Sequence, residues 1–300
     1  MRVILLFLDG VGFGAKNPET NPFQSAQIPT LRNLLGGNSV LRTNKRLSTE
    51  LAELVPVNAT LGVAGLPQSG TGQTAIFTGA NGARIFGRHF GPFPPTVLRP
   101  IIESRSIFRQ LQKRGQRVCF ANAFPQPFFD YTNSGTRRLT VTTLACMMSG
   151  IPILTANELK RDEAVSADFT RSRWPELGHP DVRPVTPYEA GEHLWRIAER
   201  HDFTLFEYWL TDHAGHRQKM APAIATLENL DQFLGGLFSR FTHRDSLFVA
   251  TSDHGNIEDL SVKTHTRNPV PCIAVGQHRK EFVASIKNLT HITPAILRLL

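Results

Sequence analysis

The stretch SLFVATSDHGNIEDLSVKTHTRNPVP, residues 246–271, joins a short apolar run to a loop rich in aspartate and histidine. The run SLFVA is typical of a buried strand, and the loop after it carries Asp253, His254 and His265. Carboxylates and imidazoles are common ligands of divalent metals, and open α/β sheets bind their ligands at the carboxyl ends of strands. The stretch therefore predicts a strand followed by metal ligands. An exposed turn with scattered histidines is the alternative unless the rest of the chain supplies further ligands.

Three other places repeat this pattern. Asp9 follows the apolar run of residues 2–8, and Asp212 and His216 follow the apolar segment DFTLFEYWL. The small-residue loop in GLPQSGTGQTAIFTGAN places Thr71 near the start of a predicted helix, where free backbone N–H groups favour an anion. Three aspartates, three histidines and one hydroxyl are enough ligands for two metals with room for substrate oxygens.

Each of these residues also has a structural interpretation. A lone aspartate after a strand often caps a helix or forms a turn. The ligand near Asp212 is either His216 or His213, and the reactive hydroxyl is Thr71 or, as alternatives, Ser69 or Thr74. The common position after apolar strands is what favours a shared site.

Apolar runs alternate with amphipathic segments along the chain, which predicts an α/β fold with a doubly wound, mostly parallel sheet and helices on both faces. We expect a single domain over residues 1–300, with residues 125–187 as a small cap or insertion. Residues 38–57 give no clear prediction. The predicted strands are RVILLFL, RVCFANAF, DFTLFEYWL, SLFVATS and PCIAVG. The predicted helices are 28–35, 106–114, 142–148, 188–200, 221–240 and 292–300, and a further helix that begins near Thr71 or Gly72 and includes TAIFTGA.

The composition narrows the classes of partner. The net charge of +8, from 33 Lys and Arg against 25 Asp and Glu, favours an anionic ligand. The sequence contains no dense Lys/Arg run of the kind that binds nucleic acid. It also contains no apolar segment long enough to predict a membrane span. Three cysteines lie far apart and form no CxxC pair, which argues against a disulfide framework. The apolar run in the opening MRVILLFLDG is too short for a signal peptide. We therefore expect a cytoplasmic protein.

The motifs FLDGVG, TDHAGH, SDHGNIE and HTRNPVP carry a resemblance to a known family. The chain resembles the alkaline phosphatase superfamily, in particular the metalloenzyme branch with cofactor-independent phosphoglycerate mutase and phosphopentomutase. The resemblance covers residues 1–84 and 203–300. It implies an alkaline phosphatase-like fold and two divalent metal ions, Mn²⁺ or Zn²⁺.

The resemblance also implies roles for individual residues. One metal would be held by Asp9, Thr71, Asp253 and His254, and the other by Asp212, His216 and His265. When the glycine that ends the nucleophile motif is aligned with Gly79, Thr71 falls at the position of the nucleophile. The expected function is therefore a two-metal-dependent phosphoester hydrolase that acts through a phosphothreonine intermediate on a phosphorylated, anionic small molecule.

Departures from the mutase pattern favour hydrolysis. Gly72 and Ala75 stand where the mutases have a glutamate and a histidine, and the middle of the chain is too short for their substrate-holding insertion. The alternatives are a phosphomutase or phosphotransferase, a phosphodiesterase, and a metal-binding protein without catalysis. The sequence does not indicate the oligomeric state.

The sequence offers several candidate residues for contacts with the substrate. Arg84, Arg88 and His89 follow the nucleophile helix and are candidates for binding an anion, with a solvated basic turn as the alternative. Arg137 and Arg138 are similar candidates. Further candidates are Phe128, Phe129 and Trp174 for a pocket in the cap, and Asn256 and Glu258 for contacts with the ligands.

Overall fold

One sheet organises the chain. The computed structural model describes residues 1–38, 45–135 and 138–300, so Arg137 and residues 39–44 of the unassigned segment 38–57 lie outside the described residues. The described residues form a seven-stranded sheet in the order β2-β3-β7-β6-β1-β5-β4. The strands are β1 (Arg2–Leu8), β2 (Leu47–Ser48), β3 (Ala52–Val57), β4 (Val118–Phe120), β5 (Phe203–Tyr208), β6 (Ser246–Ser252) and β7 (Val270–Gly276).

Helices cover the sheet and connect its strands. They are α1 (Pro29–Leu34), α2 (Ser69–Thr78), α3 (Gly82–Phe86), α4 (Arg99–Arg105), α5 (Ile107–Gln112), α6 (Gln126–Asn133), α7 (Val141–Met148), α8 (Ala156–Lys160), α9 (Pro187–Ala198), α10 (Leu210–Arg217), α11 (Met220–Arg240), α12 (Arg279–Ala284) and α13 (Ile292–Leu299). Short 3₁₀ turns lie at Pro22–Gln24, Thr96–Leu98 and Leu289–His291. Local signals fix several of these boundaries: α9 begins with a capping box in which Thr186 and Glu189 satisfy each other's backbone N–H groups.

The strand β1 shows why the sheet is covered on both faces. Successive side chains of a strand point to opposite faces, and all of its apolar side chains from Val3 onward are buried. Val3, Leu5 and Phe7 pack into one hydrophobic core, whereas Ile4, Leu6 and Leu8 pack into another. A strand with two buried faces appears in the sequence as a continuous apolar run. The predicted doubly wound α/β architecture is therefore confirmed.

The direction of the strands is mostly uniform. β1 pairs in parallel with β5 and β6, and β5 pairs in parallel with β4. β7 runs antiparallel between β6 and β3, so β3 again points the same way as β1. β3 was not predicted, because its residues Ala52–Val57 lie in the segment without a clear pattern. β4 is shorter than the predicted strand RVCFANAF, because the chain after Phe120 turns away to pair with residues 154 and 165.

The middle of the chain is divided between core and surface. Helix α7 packs in the hydrophobic core on the face of the sheet that holds Val3, Leu5 and Phe7, and its Val141, Leu144 and Ala145 are buried there. A separate small cluster around Trp174 and Leu159 packs beside it. The assignment of residues 125–187 as a cap within a single domain stays a prediction.

No helix among residues 1–38, 45–135 and 138–300 has both the length and the apolar character to cross a membrane.

The contact between α9 and α11 requires glycine on each helix, at Gly191 and at Gly236. A Cβ atom on Gly236 would lie 1.8 Å from the carbonyl oxygen of Tyr188, whereas a Cβ atom on Gly235 would meet no atom closer than 3.2 Å. We expect Gly236→Ala to lower the free energy of unfolding by about 2 kcal/mol or more, because the two helices must separate. Gly235→Ala should change it by less than about 1 kcal/mol. Urea denaturation measures both, and an equal effect of the two variants would contradict the close-packing explanation.

Candidate active site

Neighbouring strands bring the predicted ligands together. Leu8 at the end of β1 is level with Tyr208 of β5 and with Ser252 of β6. The residues that follow these positions leave the sheet at the same edge, and they include Asp9 and Asp253. This edge holds the ligand cluster, which we define as Asp9, Asp212, His216, Asp253, His254 and His265.

The first part of the ligand cluster is carboxylate-rich. Nε2 of His254 lies 3.3 Å from Oδ1 of Asp9 and 3.6 Å from Oδ2 of Asp253. Asp253 and His254 are fully buried, and Asp9 is nearly so. Asp9 and Asp253 were predicted to share a metal with His254, and the structure brings these three side chains together.

The second part combines one carboxylate with two imidazoles. Nε2 of His216 lies 3.3 Å from Oδ2 of Asp212, and Nε2 of His265 lies 3.6 Å from Oδ1 of Asp212. The two Nε2 atoms are 3.2 Å apart. Asp212 and His216 lie one turn apart on α10, so the helix presents both on one face. The structure therefore brings His216, and not His213, to Asp212; His213 is exposed and packs edge-on against Trp209.

Hydrogen bonds of the two histidines orient their free nitrogens. Nδ1 of His216 lies 2.9 Å from the carbonyl oxygen of Lys263, and Nδ1 of His265 lies 2.8 Å from that of Pro67. A carbonyl oxygen only accepts, so each Nδ1 carries a proton, and Nε2 is the nitrogen that faces Asp212 and that binds a metal once it is deprotonated. This second hydrogen bond is typical of histidines that bind metals.

The two parts of the ligand cluster are not separate. The rings of His254 and His265 stack with a centroid distance of 3.6 Å and an interplanar angle of 12°. Asp212 contributes to both parts, since its Oδ1 also lies 4.0 Å from Nδ1 of His254. Potential ligand atoms group as Asp212, His216 and His265, and as Asp9, Asp212 and His254.

The position of the hydroxyl differs from the sequence-based expectation. Thr71 is fully buried, and its hydroxyl donates to the carbonyl oxygen of Gln68 at 3.1 Å and accepts from the N–H of Phe90 at 3.2 Å. Ser69, the first residue of α2, places its Oγ 2.9 Å from Nε2 of His254. The hydroxyl of Thr74 donates to the carbonyl oxygen of Gly70 within the helix. Among the three candidate hydroxyls, that of Ser69 is the one that contacts the ligand cluster.

Burial without a cation is unfavourable for the carboxylates. Burial, together with the charge of Asp212, raises the pKa of Asp253 to about 8. Burial and the charges of Asp253 and Asp212 raise the pKa of Asp9 well above its usual value. Burial also acts to raise the pKa of Asp212, but the hydrogen bond with His216 and the charge of His254 outweigh it and hold that pKa well below its usual range. The ionised carboxylates of Asp9 and Asp253 thus repel each other, so it is unfavourable for both to be charged at once.

The imidazoles of the ligand cluster favour their neutral form where they are buried. Burial, aided by His265, lowers the pKa of His254 to about 3, and burial likewise lowers the pKa of His265. The more exposed His216 differs, because its hydrogen bond with Asp212 raises its pKa. A neutral imidazole keeps the lone pair that a metal requires.

Several buried polar atoms of the ligand cluster lack hydrogen-bond partners, and this bears on whether the cluster fits a metal. Among the described residues, both carboxylate oxygens of Asp253, Oδ1 of Asp9 and Nδ1 of His254 are buried and have no hydrogen-bond partner. Buried polar atoms are almost always paired, so such a group requires an explanation. A divalent cation would satisfy these atoms and remove the repulsion between the carboxylates, and the ligand cluster therefore fits metal binding.

Residues around the ligand cluster hold it in place. Nδ2 of Asn256 donates to Oδ1 of Asp212 at 2.6 Å, and Nε2 of Gln73 lies 3.5 Å from Oδ2 of Asp9. The sequence reasoning missed Gln73, although its place one turn after Ser69 on the same helix face was a usable signal. It also missed Gly10, whose positive φ of 69° and 2.6 Å gap between an added Cβ atom and Oδ1 of Asp212 leave room only for glycine.

Glu258 connects the histidine loop to the turn after β1. Its carboxylate accepts hydrogen bonds from the N–H groups of Gly12 and Asn256, the hydroxyl of Thr266 and the amide of Asn268, at 2.5–3.0 Å. Four donors thus converge on one carboxylate, which positions Asn256 against Asp212 and leads the chain back to His265.

Glu258→Gln is expected to weaken metal binding by about 10- to 100-fold, because the new amide nitrogen faces donors and misplaces the residues that orient the ligands. Titration with Mn²⁺ or Zn²⁺ followed by calorimetry measures this affinity. The exposed Glu281, paired with His278, provides the control variant Glu281→Gln, which should bind metal like the unchanged protein. A folded Glu258→Gln protein with unaltered metal affinity would contradict the orienting role.

The predicted substrate contacts lie outside the ligand cluster. Arg84 and Arg88 are exposed, and the guanidinium of Arg88 lies 5.6 Å from the centre of the Phe86 ring. Nε2 of His89 lies 3.3 Å from the carbonyl oxygen of Val63. Among the described contacts, none joins these three residues to the ligand cluster. Arg138, in contrast, lines a cavity that reaches Asp9.

The fold and the ligand cluster define the class to which the chain is similar, a metalloenzyme with an alkaline phosphatase-like sheet. Residues 183–300 match the family model described as the Metalloenzyme superfamily. The 2,3-bisphosphoglycerate-independent phosphoglycerate mutase of Thermomicrobium roseum is 28% identical over 137 residues, which are 42% of this chain and 25% of the mutase. The resemblance predicted from the motifs is thereby confirmed. The chain spans about a quarter of the length of this relative.

Solved structures show the same fold over the whole chain. A protein from Pyrococcus horikoshii matches with a TM-score of 0.58 at 12% identity, covering 99% of this chain and 97% of that one. A cold-active alkaline phosphatase from the psychrophile Shewanella sp. matches with a TM-score of 0.55 at 13% identity, covering 100% of both chains. At such identities the likeness extends to the fold alone, and it supports the alkaline phosphatase-like architecture.

Proposed function

We propose that this protein is a metal-dependent phosphoester hydrolase with Ser69 as its nucleophile. The observation that carries the proposal is the 2.9 Å contact between Oγ of Ser69 and Nε2 of His254 at the centre of the ligand cluster. The match of residues 183–300 to the Metalloenzyme superfamily supports the same class of chemistry. The sequence-based assignment of the nucleophile to Thr71 is replaced here, because the Thr71 hydroxyl is buried between Gln68 and Phe90.

The ligand cluster would hold two divalent cations. Asp9, Asp253 and His254 offer an oxygen-rich set that suits Mn²⁺. Asp212, His216 and His265 offer an imidazole-rich set that suits Zn²⁺. Such cations supply positive charge that favours the ionised form of a nearby hydroxyl and neutralises phosphate oxygens. The presence of two ligand sets is the reason for assigning two ions.

The residues of this chain would carry out a two-step reaction. Oγ of Ser69 forms a bond to phosphorus while the bond from phosphorus to the ester oxygen breaks, and the departing alcohol takes up a proton. Water then cleaves the phosphoserine, which releases inorganic phosphate and restores the hydroxyl. The helix dipole at the start of α2 supports the first step, since it favours negative phosphate oxygens there, whereas the N–H of Thr71 already donates to the carbonyl oxygen of Phe90.

A panel of phosphate esters tests this function. The protein, loaded with Mn²⁺ or Zn²⁺, is assayed for free phosphate and for transfer of phosphate to a second hydroxyl on the same or another molecule. Release of free phosphate supports the hydrolase. Transfer without release would select the phosphotransferase, and no turnover of any ester in either metal would contradict both.

A further inference from the structure

A cavity of about 250 Å³ opens beside the ligand cluster. Asp9 forms one part of its wall, and the aromatic residues Phe93, Phe124, Phe128 and Trp209 line it together with polar residues such as Asn122 and Thr143. Pockets for drug-sized ligands have volumes of about 300–1,000 Å³, so this cavity matches a group the size of a single ring. Its place next to Asp9 puts such a group where the leaving alcohol of a phosphate ester would lie.

A buried polar atom of the cavity wall has no partner among the described residues. Glu207 is buried and lines the cavity, and its Oε2 accepts a hydrogen bond of 2.5 Å from the hydroxyl of Thr142. Its other oxygen, Oε1, is buried without a hydrogen-bond partner among the described residues. A buried acceptor without a donor is costly, and a donor on a ligand would relieve that cost.

Resting on the function proposed above, we propose that this cavity is the leaving-group subsite and that it binds the phosphate ester of an aromatic alcohol with a hydrogen-bond donor on its ring. The aromatic wall favours a ring, because ring–ring contacts add to the burial of apolar surface. A small polyol or sugar acid would bury less apolar surface against the phenylalanine side chains than a ring does. The exposed Arg138, which lines the same cavity, adds positive charge near the phosphate.

Helix α6 supplies a matched pair of residues for testing this subsite. Phe128 lines the cavity, with its ring 4.3 Å from that of Phe124. The next residue, Phe129, lines a different groove together with Lys160 and His179. Both phenylalanines are half-buried and their rings pack edge to face at a centroid distance of 5.4 Å, so either truncation removes this contact, whereas only Phe128→Ala removes a ring from the cavity wall.

The experiment measures calorimetric binding of phosphonates, which are not hydrolysed, to the metal-loaded protein. Phenylphosphonate should bind at least about tenfold more tightly than methylphosphonate, because the ring is removed from water. Phe128→Ala should abolish this preference, and Phe129→Ala should keep it. Equal binding of the two phosphonates, binding of neither, or a preference that survives Phe128→Ala would overturn the proposal.

A second comparison tests the role of Glu207. A hydroxyl on the phenylphosphonate ring should tighten binding at one ring position by several-fold, and the double variant Thr142→Val/Glu207→Leu should lose that gain but keep the preference for phenyl over methyl. An equal gain in the double variant would overturn the assignment of the donor. Because binding is measured without turnover, ring preference without ester hydrolysis would contradict only the proposed hydrolase, and hydrolysis through Ser69 without ring preference would contradict only the subsite.

Discussion

Replacing Ser69 by alanine is expected to lower kcat/KM for a generic aryl phosphate by at least about 10³-fold, because loss of a nucleophile removes the covalent step. The reason is the geometry at the start of α2, where Oγ of Ser69 is the candidate hydroxyl in contact with His254. The change should affect kcat, with metal content unaltered, since Ser69 is expected to act on substrate. Steady-state kinetics and metal analysis on the same sample measure both quantities.

Thr71→Val provides the matched control for Ser69→Ala. Valine keeps the shape of threonine but leaves the N–H of Phe90 without its acceptor, which should cost about 1–3 kcal/mol of stability. Activity should fall by no more than about tenfold, because the hydroxyl faces Gln68 and Phe90 and not the ligand cluster. An inactive Thr71→Val protein together with an active Ser69→Ala protein would return the nucleophile to Thr71.

A bound divalent metal ion is expected to raise the free energy of unfolding, and Asp253 is expected to be one of the ligands responsible. At 100 to 1,000 times the dissociation constant, a bound ion adds roughly 3–4 kcal/mol to the free energy of unfolding. The expected rise in Tm is about 5–10 °C. Asp253→Asn should lose the part of this rise that comes from the ion held by Asp9, Asp253 and His254. Its metal-free form should be at least as stable as the metal-free parent, because one of two repelling buried carboxylates is gone. Thermal denaturation with and without Mn²⁺ or Zn²⁺ measures these changes.

Asp231→Asn is the control for this experiment. Asp231 is also a buried carboxylate, but its oxygens accept hydrogen bonds from the N–H groups of Thr30 and Leu31 at the start of α1. We expect Asp231→Asn to lower stability equally with and without metal. If Asp253→Asn instead destabilises the metal-free protein as Asp231→Asn does, Asp253 is a structural residue and not a metal ligand.

Much of the ligand cluster was predictable because it depends on strand ends. Apolar runs identified β1, β5 and β6, and the carboxyl ends of parallel strands share one edge, so Asp9 and Asp253 had to lie near each other. The four-residue spacing of Asp212 and His216 suits one face of a helix, although the sequence alone did not reveal α10.

The remaining features depend on contacts between distant parts of the chain. The first turn of α2 packs against residues 90–93, and a Cβ atom on Gly70 would lie only 2.3 Å from the carbonyl oxygen of Phe93. This contact sets the rotation of α2, and thus whether Ser69 or Thr71 faces His254, and no local pattern encodes it. The antiparallel direction of β7 and the cavity beside Asp9 are likewise tertiary features, since residues from several segments form them.

The sharing of Asp212 between the two parts of the ligand cluster has a thermodynamic consequence. One carboxylate whose orientation serves both ion positions makes their occupancies interdependent, and the stacked rings of His254 and His265 join them further. Whatever factor the first ion contributes to the affinity for the second, the second contributes equally to the affinity for the first. The pair would therefore load as a linked unit, and the supply of either ion in the cell would govern how much of the other the protein retains.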